Sequence, residues 1–404
     1  MSRPPRRLLL GAGPSPIPEP VRLAAAQATV GHLDPWFQDF MESLKQRLRQ
    51  TFVTRNRMTF PFSAPASAAM ESALFALADE GDEIAVIIHG AFGARLAEMA
   101  RRQGLVVHRL DVPWGSPPDP QQLEDLLTSK PDIRLVAFVH AETSTGVAAD
   151  AATLARIAEA HDCLVLMDAV TSLGGSPVLP DQWGIDFTYS GSQKCLSAPP
   201  GLAPVTVSER ALEWMNRRRR SCRSWFGDML EMARYWDGQN GRSYHHTAPI
   251  NALYALDAAL RLFLTEGHEA AHARHYRAHL ALLAGLEALG LELLPPPGCR
   301  LPQLNAVVVP AGIDEAQLRA DLLSRHGIEI SAGLGSLAGR ILRIGLMGDG
   351  ARLSHVLTLL VGLEDALARQ GWTVTTGSAP QAAIAAHDRA RTAEHSSRAA
   401  GADG

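Results

Sequence analysis

Two apolar runs that each end in an ionisable residue decide the fold: Leu164-Val165-Leu166-Met167-Asp168-Ala169-Val170 and Phe187-Thr188-Tyr189-Ser190-Gly191-Ser192-Gln193-Lys194. Short apolar runs of this kind, bounded by turn residues, are typical of buried strands. In an open α/β sheet, ligands bind beyond the carboxyl ends of the strands. We therefore predict that Asp168 and Lys194 lie at the binding edge of one sheet.

The surrounding pattern predicts a mainly parallel α/β sheet. Between about residues 57 and 210, short apolar runs alternate with segments of helical periodicity, as in a parallel sheet covered by helices on both faces. The predicted strands are Glu83–His89, Leu105–Val112, Arg134–His140, Cys163–Ala169, Phe187–Ser190 and Pro204–Ser208, and the predicted helices are Ser67–Ala78, Ala91–Gln103, Pro120–Thr128 and Ala151–His161.

The rest of the chain predicts a connecting region, a smaller domain and a tail. Residues 212–245 show no regular periodicity, two long helices follow, and a smaller α/β unit begins after Pro295-Pro296-Pro297-Gly298. Beyond Thr373 the composition lacks periodicity, which predicts disorder. The predicted organisation is an N-terminal segment at 1–20, a large domain at 21–265, a small domain at 266–372 and a disordered tail at 373–404. The helices predicted for the second half are Asn251–Glu266, His268–Leu289, Glu315–His326 and Ala351–Arg369, and the strands are Asn305–Val309, Glu329–Ser331 and Ile341–Ile344.

Composition describes an ordinary globular protein. Of the 404 residues 46% are hydrophobic and 20% charged, and the net charge of −4 gives no reason to expect nucleic acid or anionic membranes as partners. No apolar stretch is long enough to cross a bilayer, and the few leucines after the basic start are too short for a signal-peptide core. The four cysteines lack metal-type spacing. These features predict a cytoplasmic protein without a disulfide framework.

Two local clusters have competing interpretations. The arginine run Arg217–Arg220 stands among aromatic residues, but the patch is short, which favours an exposed loop or subunit contact over a nucleic-acid site. His272, His275 and His279 share a helical face with metal-compatible spacing. Because no cysteine or carboxylate cluster accompanies them, we expect a solvated face and no metal site.

A carboxylate and a lysine at one sheet edge are the pair that pyridoxal phosphate (PLP) requires. The lysine forms a Schiff base, and the acid keeps the pyridine nitrogen protonated so that the ring accepts electrons. Ordinary alternatives stay open, because an Asp after a strand often caps a helix and a lone Lys is often solvated. The surroundings favour the functional interpretation: Gly191 permits a tight approach, and Ala198-Pro199-Pro200-Gly201 forces a turn after Lys194.

Six motifs resemble those of fold-type I PLP enzymes of aminotransferase class V, most closely the alanine–glyoxylate and serine–glyoxylate aminotransferases. The resemblance extends from about Leu8 to Trp372. Each motif is weak alone, but six in the family's order are specific. They are Leu10-Gly11-Ala12-Gly13-Pro14-Ser15, His140-Ala141-Glu142-Thr143-Ser144-Thr145-Gly146, Asp168-Ala169-Val170-Thr171-Ser172-Leu173-Gly174-Gly175, Tyr189-Ser190-Gly191-Ser192-Gln193-Lys194, Tyr244-His245-His246-Thr247 and Leu342-Arg343-Ile344-Gly345.

The resemblance implies a large domain with a mainly parallel seven-stranded sheet and a smaller C-terminal α/β domain. It implies that Lys194 holds PLP as an internal aldimine and later, as a neutral amine, moves the substrate α-proton. Asp168 would pair with the pyridine nitrogen, and Arg343 would bind the substrate α-carboxylate. The other implied cofactor contacts are Thr143 near the 3′-oxygen, Phe92 and Val170 on the two ring faces, Gln193 at the phosphate, and Tyr244 and Thr247 at the phosphate of the neighbouring subunit's cofactor in a homodimer.

The chain departs from the family at the phosphate cup. Where family members carry a glycine-rich segment, this chain has Ser63-Ala64-Pro65-Ala66-Ser67-Ala68-Ala69-Met70-Glu71. Pro65 has no N–H group, and alanine restricts dihedral angles that glycine leaves open. The expected phosphate donors are then the N–H groups of Ala66 and Ser67 and the Ser67 hydroxyl, at the start of a helix.

Three of these assignments also have structural alternatives. Phe92 could belong to the core, Arg343 could form a structural ion pair, and the segment Tyr244–Thr247 could be an ordinary turn.

The sequence thus predicts a ping-pong aminotransferase that moves an amino group from a small L-amino acid, alanine or serine, to a 2-oxo acid such as glyoxylate. Two alternatives remain. A cysteine desulfurase needs a nucleophilic cysteine on a mobile loop, for which Cys299 is the candidate. A weakly active PLP-binding protein is suggested by the altered cup.

Overall fold

The computed structural model describes residues 4–218, 220–237 and 242–402, and its elements alternate as the sequence predicts. The strands are β1 (Leu8–Leu9), β2 (Met58–Phe62), β3 (Glu83–Ile88), β4 (Val106–Asp111), β5 (Ile133–Val139), β6 (Ala141–Glu142), β7 (Val147–Ala148), β8 (Leu164–Asp168), β9 (Phe187–Tyr189), β10 (Ala203–Val207), β11 (Leu304–Val308), β12 (Ile328–Glu329), β13 (Ser331–Ala332) and β14 (Ile341–Gly345). The helices are α1 (Glu19–Ala25), α2 (Pro35–Phe52), α3 (Ala66–Leu77), α4 (Ala91–Arg102), α5 (Pro120–Ser129), α6 (Ala151–Ala160), α7 (Pro180–Trp183), α8 (Glu209–Asn216), α9 (Met229–Trp236), α10 (Ile250–Glu266), α11 (His268–Ala288), α12 (Glu315–His326), α13 (Leu353–Arg369) and α14 (Ser378–Ala402).

A seven-stranded sheet in the order β2-β10-β9-β8-β5-β3-β4 forms the centre of the fold. Only β10 runs antiparallel to its neighbours β2 and β9; the other pairs are parallel. All residues of β8 and β9 are buried, as expected for strands covered on both faces. The predicted mainly parallel seven-stranded sheet is confirmed, and its register sets Asp168 beside Val139 and Tyr189.

A second, three-stranded antiparallel sheet, β11-β14-β13, packs with the C-terminal helices. Two separate clusters of buried apolar residues accompany the two sheets. One extends from Val21 to Leu260, and the other from Ala278 to Ala383 with the addition of Leu10. We retain the division between residues 265 and 266 as a proposal, supported by the change of cluster near that point.

Regular structure is more extensive than the sequence pattern indicated. The region 212–245 was expected to be irregular, yet its described residues include α9 and the end of α8, which begin after side-chain caps from Asp228 and Ser208. Within the arginine run, Arg217 and Arg220 are exposed as expected, but Arg218 is partly buried. Arg218 donates hydrogen bonds to backbone carbonyls at the end of α3 and pairs with Asp79, whereas Arg219 lies outside the described residues.

The tail is helical, so the expectation of disorder from residue 373 is wrong for α14. Alanine is the best helix former, and Ala379, Ala383 and Ala386 of α14 are buried. The side chain of Glu364 accepts the N–H of Gly377 at 2.9 Å and of Ala379 at 3.0 Å, which satisfies donors at the start of the helix. Because α14 packs along α11 and α13, tertiary contacts support a segment whose composition lacks a clear apolar stripe. Residues 403–404 lie outside the described part.

Of the three α11 histidines predicted to share a solvated face, His275 and His279 are buried, so that expectation is also wrong. The Nε2 atom of His275 accepts the N–H of Gly348 at 2.9 Å, and the Nδ1 atom of His279 lies 2.6 Å from Oδ1 of Asn305. Burial lowers the pKa of His275 to about 3, which keeps the ring neutral. Among the described residues no group of three or more His, Cys, Asp or Glu has an arrangement suited to a metal. None of the described helices is both long and apolar enough to cross a membrane.

Substitution of Gly345 tests the close approach between β14 and the N-terminal segment. The Gly345 N–H donates to the carbonyl of Leu10 at 2.8 Å, and a Cβ at residue 345 would lie 2.0 Å from the carbonyl oxygen of Gly11. We expect Gly345→Ala to lower the free energy of unfolding by about 1–3 kcal/mol, because the obstructing atom belongs to the backbone. Urea denaturation followed by circular dichroism measures this. Gly298→Ala is the control, since no atom lies within 4 Å of its Cβ position. Equal stability of the two variants would contradict the expectation.

Candidate functional site

A cavity of about 150 Å³ lies at the carboxyl edge of the central sheet, where β5, β8 and β9 end. Eight of the predicted cofactor residues line it, and Asp168 and Lys194 are among them. Tyr244, Thr247 and Arg343 do not line it. The lining residues are Pro65, Ala66, Ser67, Met70, Phe92, Arg95, Val139, Ala141, Thr143, Asp168, Val170, Thr171, Tyr189, Gln193 and Lys194.

Lys194 is buried against the N-terminal segment and is not a solvated surface residue. Its ammonium donates a hydrogen bond to the carbonyl of Ala12, and the hydroxyl of Ser15 donates to the Lys194 carbonyl at 2.7 Å. A Cβ at Gly13, which has a φ of +103°, would lie 2.7 Å from the Lys194 Nζ atom. The glycine-rich start of the chain therefore wraps around the lysine, which gives a physical reason for that motif.

The surroundings of Lys194 lower the pKa of its amine. Burial, followed by the positive charge of Arg343, lowers the pKa of Lys194 to about 8, while the carboxylate of Asp168 opposes this. A lysine with this pKa is partly neutral near physiological pH, and the neutral amine is the form that acts as a nucleophile or base.

Asp168 is fixed by two donors in a buried environment. Its Oδ1 accepts the N–H of Val170 at 2.8 Å, and its Oδ2 accepts the hydroxyl of Tyr189 at 2.8 Å. Burial raises the pKa of Asp168 to about 6, and these two hydrogen bonds oppose the rise. The next helix, α7, begins only at Pro180, so Asp168 does not cap a helix.

Tyr189 is a site residue that sequence reasoning missed. It belongs to the motif that ends in Lys194, and it lies directly beside Asp168 in the β8–β9 register. That register could have been read from the two apolar runs, since parallel neighbours that end together bring their last residues side by side.

A second buried carboxylate, Glu142, orients the start of α4 and was also missed. One oxygen of Glu142 accepts the N–H groups of Phe92 and Gly93 at 3.1 and 3.2 Å, and the other accepts from the N–H and hydroxyl of Ser144 at 3.0 and 2.6 Å. Burial raises the pKa of Glu142, although these four hydrogen bonds oppose it. Phe92 lines the cavity and is partly exposed, which differs from a core position. Glu142 thus holds the backbone that carries the Phe92 ring.

The N-terminus of α3 borders the cavity through Pro65, Ala66 and Ser67. The helix begins at Ala66 without a side-chain cap, so its first N–H groups have no partner within the helix. Such groups, at the positive end of the helix dipole, suit an anion. Arg95, three residues after Phe92 on α4, lines the same cavity and was not predicted. The spacing of three places both side chains on one helix face, which is the signal that could have found it.

Arg343 lies in β14 and is buried just behind the cavity wall. Its Nε donates to the carbonyl of Ala332 at 2.7 Å, and Nη1 donates to the carbonyl of Thr143 at 3.2 Å. Within the described residues Arg343 makes no direct ion pair; burial lowers the pKa of its guanidinium, and the carboxylate of Glu142 opposes this through space. Because Thr143 lines the cavity, the guanidinium lies close to its rim.

Tyr244 and Thr247 lie on the surface of their own chain and do not line this cavity. Tyr244 is 65% exposed, and its hydroxyl lies 3.2 Å from that of Thr247. The segment between them is anchored, because the Nε2 atom of His246 lies 2.7 Å from the hydroxyl of Ser63 and His245 stacks on Trp225 at 4.2 Å. The single chain does not bring Tyr244 and Thr247 together with Lys194.

Cys299 does not lie where a desulfurase would need it. Its thiol is buried, points to the carbonyl of Pro296 at 3.5 Å, and does not line the cavity. Burial also raises its pKa, which disfavours the nucleophilic thiolate.

Comparison with known proteins agrees with this geometry. Residues 9–357 match the family described as aminotransferase class-V. The (S)-ureidoglycine–glyoxylate transaminase of Bacillus subtilis (strain 168) is 35% identical over 405 residues, covering 96% of each chain. The alanine–glyoxylate aminotransferase of Oryctolagus cuniculus is 37% identical over 366 residues, covering 90% of this chain and 93% of the relative.

A solved structure agrees as well. The crystal structure of ureidoglycine–glyoxylate aminotransferase from Bacillus subtilis matches with a TM-score of 0.93 and 36% identity, over 96% of this chain and 99% of that one. The resemblance inferred from the six motifs is confirmed: the chain belongs to the class V aminotransferases, PLP-dependent transaminases of fold type I.

Proposed function

We propose that this aminotransferase moves an amino group from a small L-amino acid, alanine or serine, to glyoxylate in a ping-pong cycle, with Lys194 as its Schiff-base lysine. The observation that carries the proposal is the buried Lys194–Asp168 pair in one cavity at the sheet edge. Relatives named for glyoxylate as a substrate, at 35–37% identity, support the choice of acceptor. Because one of them is named for (S)-ureidoglycine, that amine is the second candidate donor.

The residues of the cavity fit PLP. Asp168 is a buried acid whose oxygens are already oriented, Phe92 and Val170 offer apolar contact for a flat ring, and the α3 N-terminus suits a phosphate. We assign the cofactor contacts to Ala66, Ser67, Phe92, Thr143, Val170 and Gln193 besides the catalytic pair. When bound, PLP supplies an electron sink for the substrate Cα.

Lys194 is proposed to carry the proton of the reaction. Its lowered pKa lets the neutral amine take the proton from the substrate Cα, and the buried surroundings exclude water that would compete for it. Asp168, ionised above its pKa of about 6, would favour a protonated ring nitrogen opposite it.

Arg343 is proposed to select the substrate by its α-carboxylate. Its guanidinium is buried and held by two carbonyl acceptors, so it is oriented before the substrate arrives. The rest of its donor capacity is available for a bidentate contact with a carboxylate. Both an amino acid and a 2-oxo acid carry this group, which suits one site that binds the two substrates in turn.

We also propose a homodimer in which Tyr244 and Thr247 contact the phosphate of the partner's cofactor. Neither residue lines the cavity of its own chain, and Tyr244 is 65% exposed, which supports this. Exposed Trp225, at 64%, adds aromatic surface near the same segment, and aromatic residues are enriched in interfaces. A cytoplasmic location is part of the proposal, supported by four free thiols at Cys163, Cys195, Cys222 and Cys299.

Replacement of Lys194 tests the central assignment. We expect Lys194→Ala to lose transamination by at least about 10³-fold, because no other group can take the α-proton. Transfer from alanine, serine and (S)-ureidoglycine to glyoxylate would be measured, with Lys130→Ala on the surface as control. Since the chain has only three lysines, borohydride reduction of wild-type protein followed by peptide mapping gives a sharp second readout. Full activity of the Lys194→Ala variant, or a wild-type label absent from residue 194, would refute the assignment. Release of sulfide from cysteine by the wild-type protein would favour a desulfurase. PLP binding without any transamination would favour the weakly active protein.

Asp168→Asn should stabilise the protein lacking PLP in a pH-dependent manner. The pKa of Asp168 is raised from 3.8 to about 6 in the folded state. The stability that goes with the protonated carboxyl is therefore fully present below pH 3.8 and is lost as the pH rises through 6. The loss corresponds to about 3 kcal/mol, which Asn avoids. Urea denaturation should therefore show little difference from wild type near pH 4 and a more stable variant at pH 8. Asp125→Asn on the surface is the control. A variant less stable than wild type at pH 8 without PLP would contradict this account.

Subunit complementation tests whether Tyr244 and Thr247 act on the partner. We expect Lys194→Ala and the double variant Tyr244→Ala/Thr247→Ala to be impaired separately. Refolded together, they should recover about a quarter of wild-type activity, because half the dimers are mixed and each mixed dimer has one intact site. Activity no higher than the mean of the two parents would mean that these residues act within their own chain.

A further inference from the structure

Arg95 is an arginine at the cavity that has no carboxylate partner within the described residues. It lies on α4, and its Nη1 atom is 3.5 Å from the hydroxyl of Ser67 at the start of α3. Its guanidinium carbon lies 4.8 Å from the centre of the Phe92 ring. Other arginines on this helix differ, since Arg101 and Arg102 both pair with Glu98. A charge left unpaired beside a cavity is available for a ligand.

The cavity needs a positive charge at the end bordered by α3. A phosphate group carries up to two negative charges at neutral pH. The N-terminus of α3 offers only a partial charge, and Pro65 removes one N–H donor where a glycine-rich cup would have supplied it. Of the fifteen lining residues only Arg95 and Lys194 can carry a full positive charge. In the proposed function Lys194 would bond to the cofactor aldehyde, so Arg95 would be the lining residue left to neutralise the phosphate.

We propose that Arg95 binds the phosphate of PLP together with Ser67 and the α3 N-terminus, and so replaces the contacts that the altered cup has lost. This inference rests on the proposed placement of PLP in the cavity. The planar guanidinium suits bidentate contact with phosphate oxygens. Arg95 lies beside Ser67, at the end of the cavity where the α3 N-terminus would hold the phosphate. The contact with the Phe92 ring keeps the Arg95 side chain on the face of α4 that borders the cavity.

A comparison of two aldehydes separates phosphate binding from other roles. Affinity of the apoenzyme for PLP and for pyridoxal, which lacks the phosphate, would be measured by absorbance titration in wild type, Arg95→Gln and Arg95→Lys. We expect Arg95→Gln to weaken PLP binding by about 10- to 100-fold, as for loss of a charge-assisted hydrogen bond. Its affinity for pyridoxal should stay within about twofold of wild type. Arg95→Lys should recover part of the loss because it keeps the charge.

Arg102→Gln is the matched control, because it removes an arginine from the other end of α4 and should change neither affinity. A second readout is thermal unfolding of the apoenzyme with inorganic phosphate, which should stabilise wild type and Arg102→Gln but not Arg95→Gln.

Equal loss of PLP and pyridoxal binding in Arg95→Gln would overturn the proposal, because Arg95 would then act through the Phe92 ring. Unchanged PLP binding would overturn it as well. A wild-type apoenzyme that binds both aldehydes equally would instead refute the placement of the phosphate at α3, which belongs to the proposed function.

Discussion

The desolvation of two opposite charges at one sheet edge constrains the rest of this structure. Asp168 and Lys194 are both buried. Burial raises the pKa of Asp168 and lowers the pKa of Lys194, so it favours the neutral form of each side chain. An unpaired buried charge costs several kcal/mol, so a fold keeps such groups only when a bound partner uses them. The hydrogen bonds from Val170 and Tyr189 orient the carboxylate without neutralising it. The site therefore gives up stability to hold reactive groups in place.

Glu142 is a second buried carboxylate held by hydrogen-bond donors, and it acts on the neighbouring helix α4. A carboxylate with four donors and no exposed surface fixes the backbone of both α4 and its own loop. The Phe92 ring and the Arg95 guanidinium then project from a helix end whose position is set by hydrogen bonds within the core. The positions of Phe92 and Arg95 consequently depend on Glu142, although Glu142 does not line the cavity.

The sequence pattern located six of the seven strands of the central sheet and most of the helices beside it, but it missed the edge strand β2. Strands β3, β5 and β8 are apolar runs bounded by turns, so their pattern alone identified them, and the motifs gave Asp168 and Lys194. The helix α14 was missed because its burial depends on α11 and α13, which no local pattern reveals. The buried histidines of α11 were misjudged for the same reason, since a polar residue buried by a distant segment looks exposed in its own sequence. Glu142 acts through the N–H groups of Phe92 and Gly93, which only the tertiary structure brings near, whereas strand register and helix spacing could have indicated Tyr189 and Arg95.

Residues 10–12 lie between Lys194 and the strand that carries Arg343. Leu10 packs in the core of the small sheet, Ala12 donates its N–H to the hydroxyl of Ser331, and the Ala12 carbonyl contacts Lys194. The same segment is held by Gly345 of β14, two residues beyond Arg343. This short segment therefore contacts both the Lys194 side chain and the strand that carries Arg343, so a substitution that displaces it would disturb both at once.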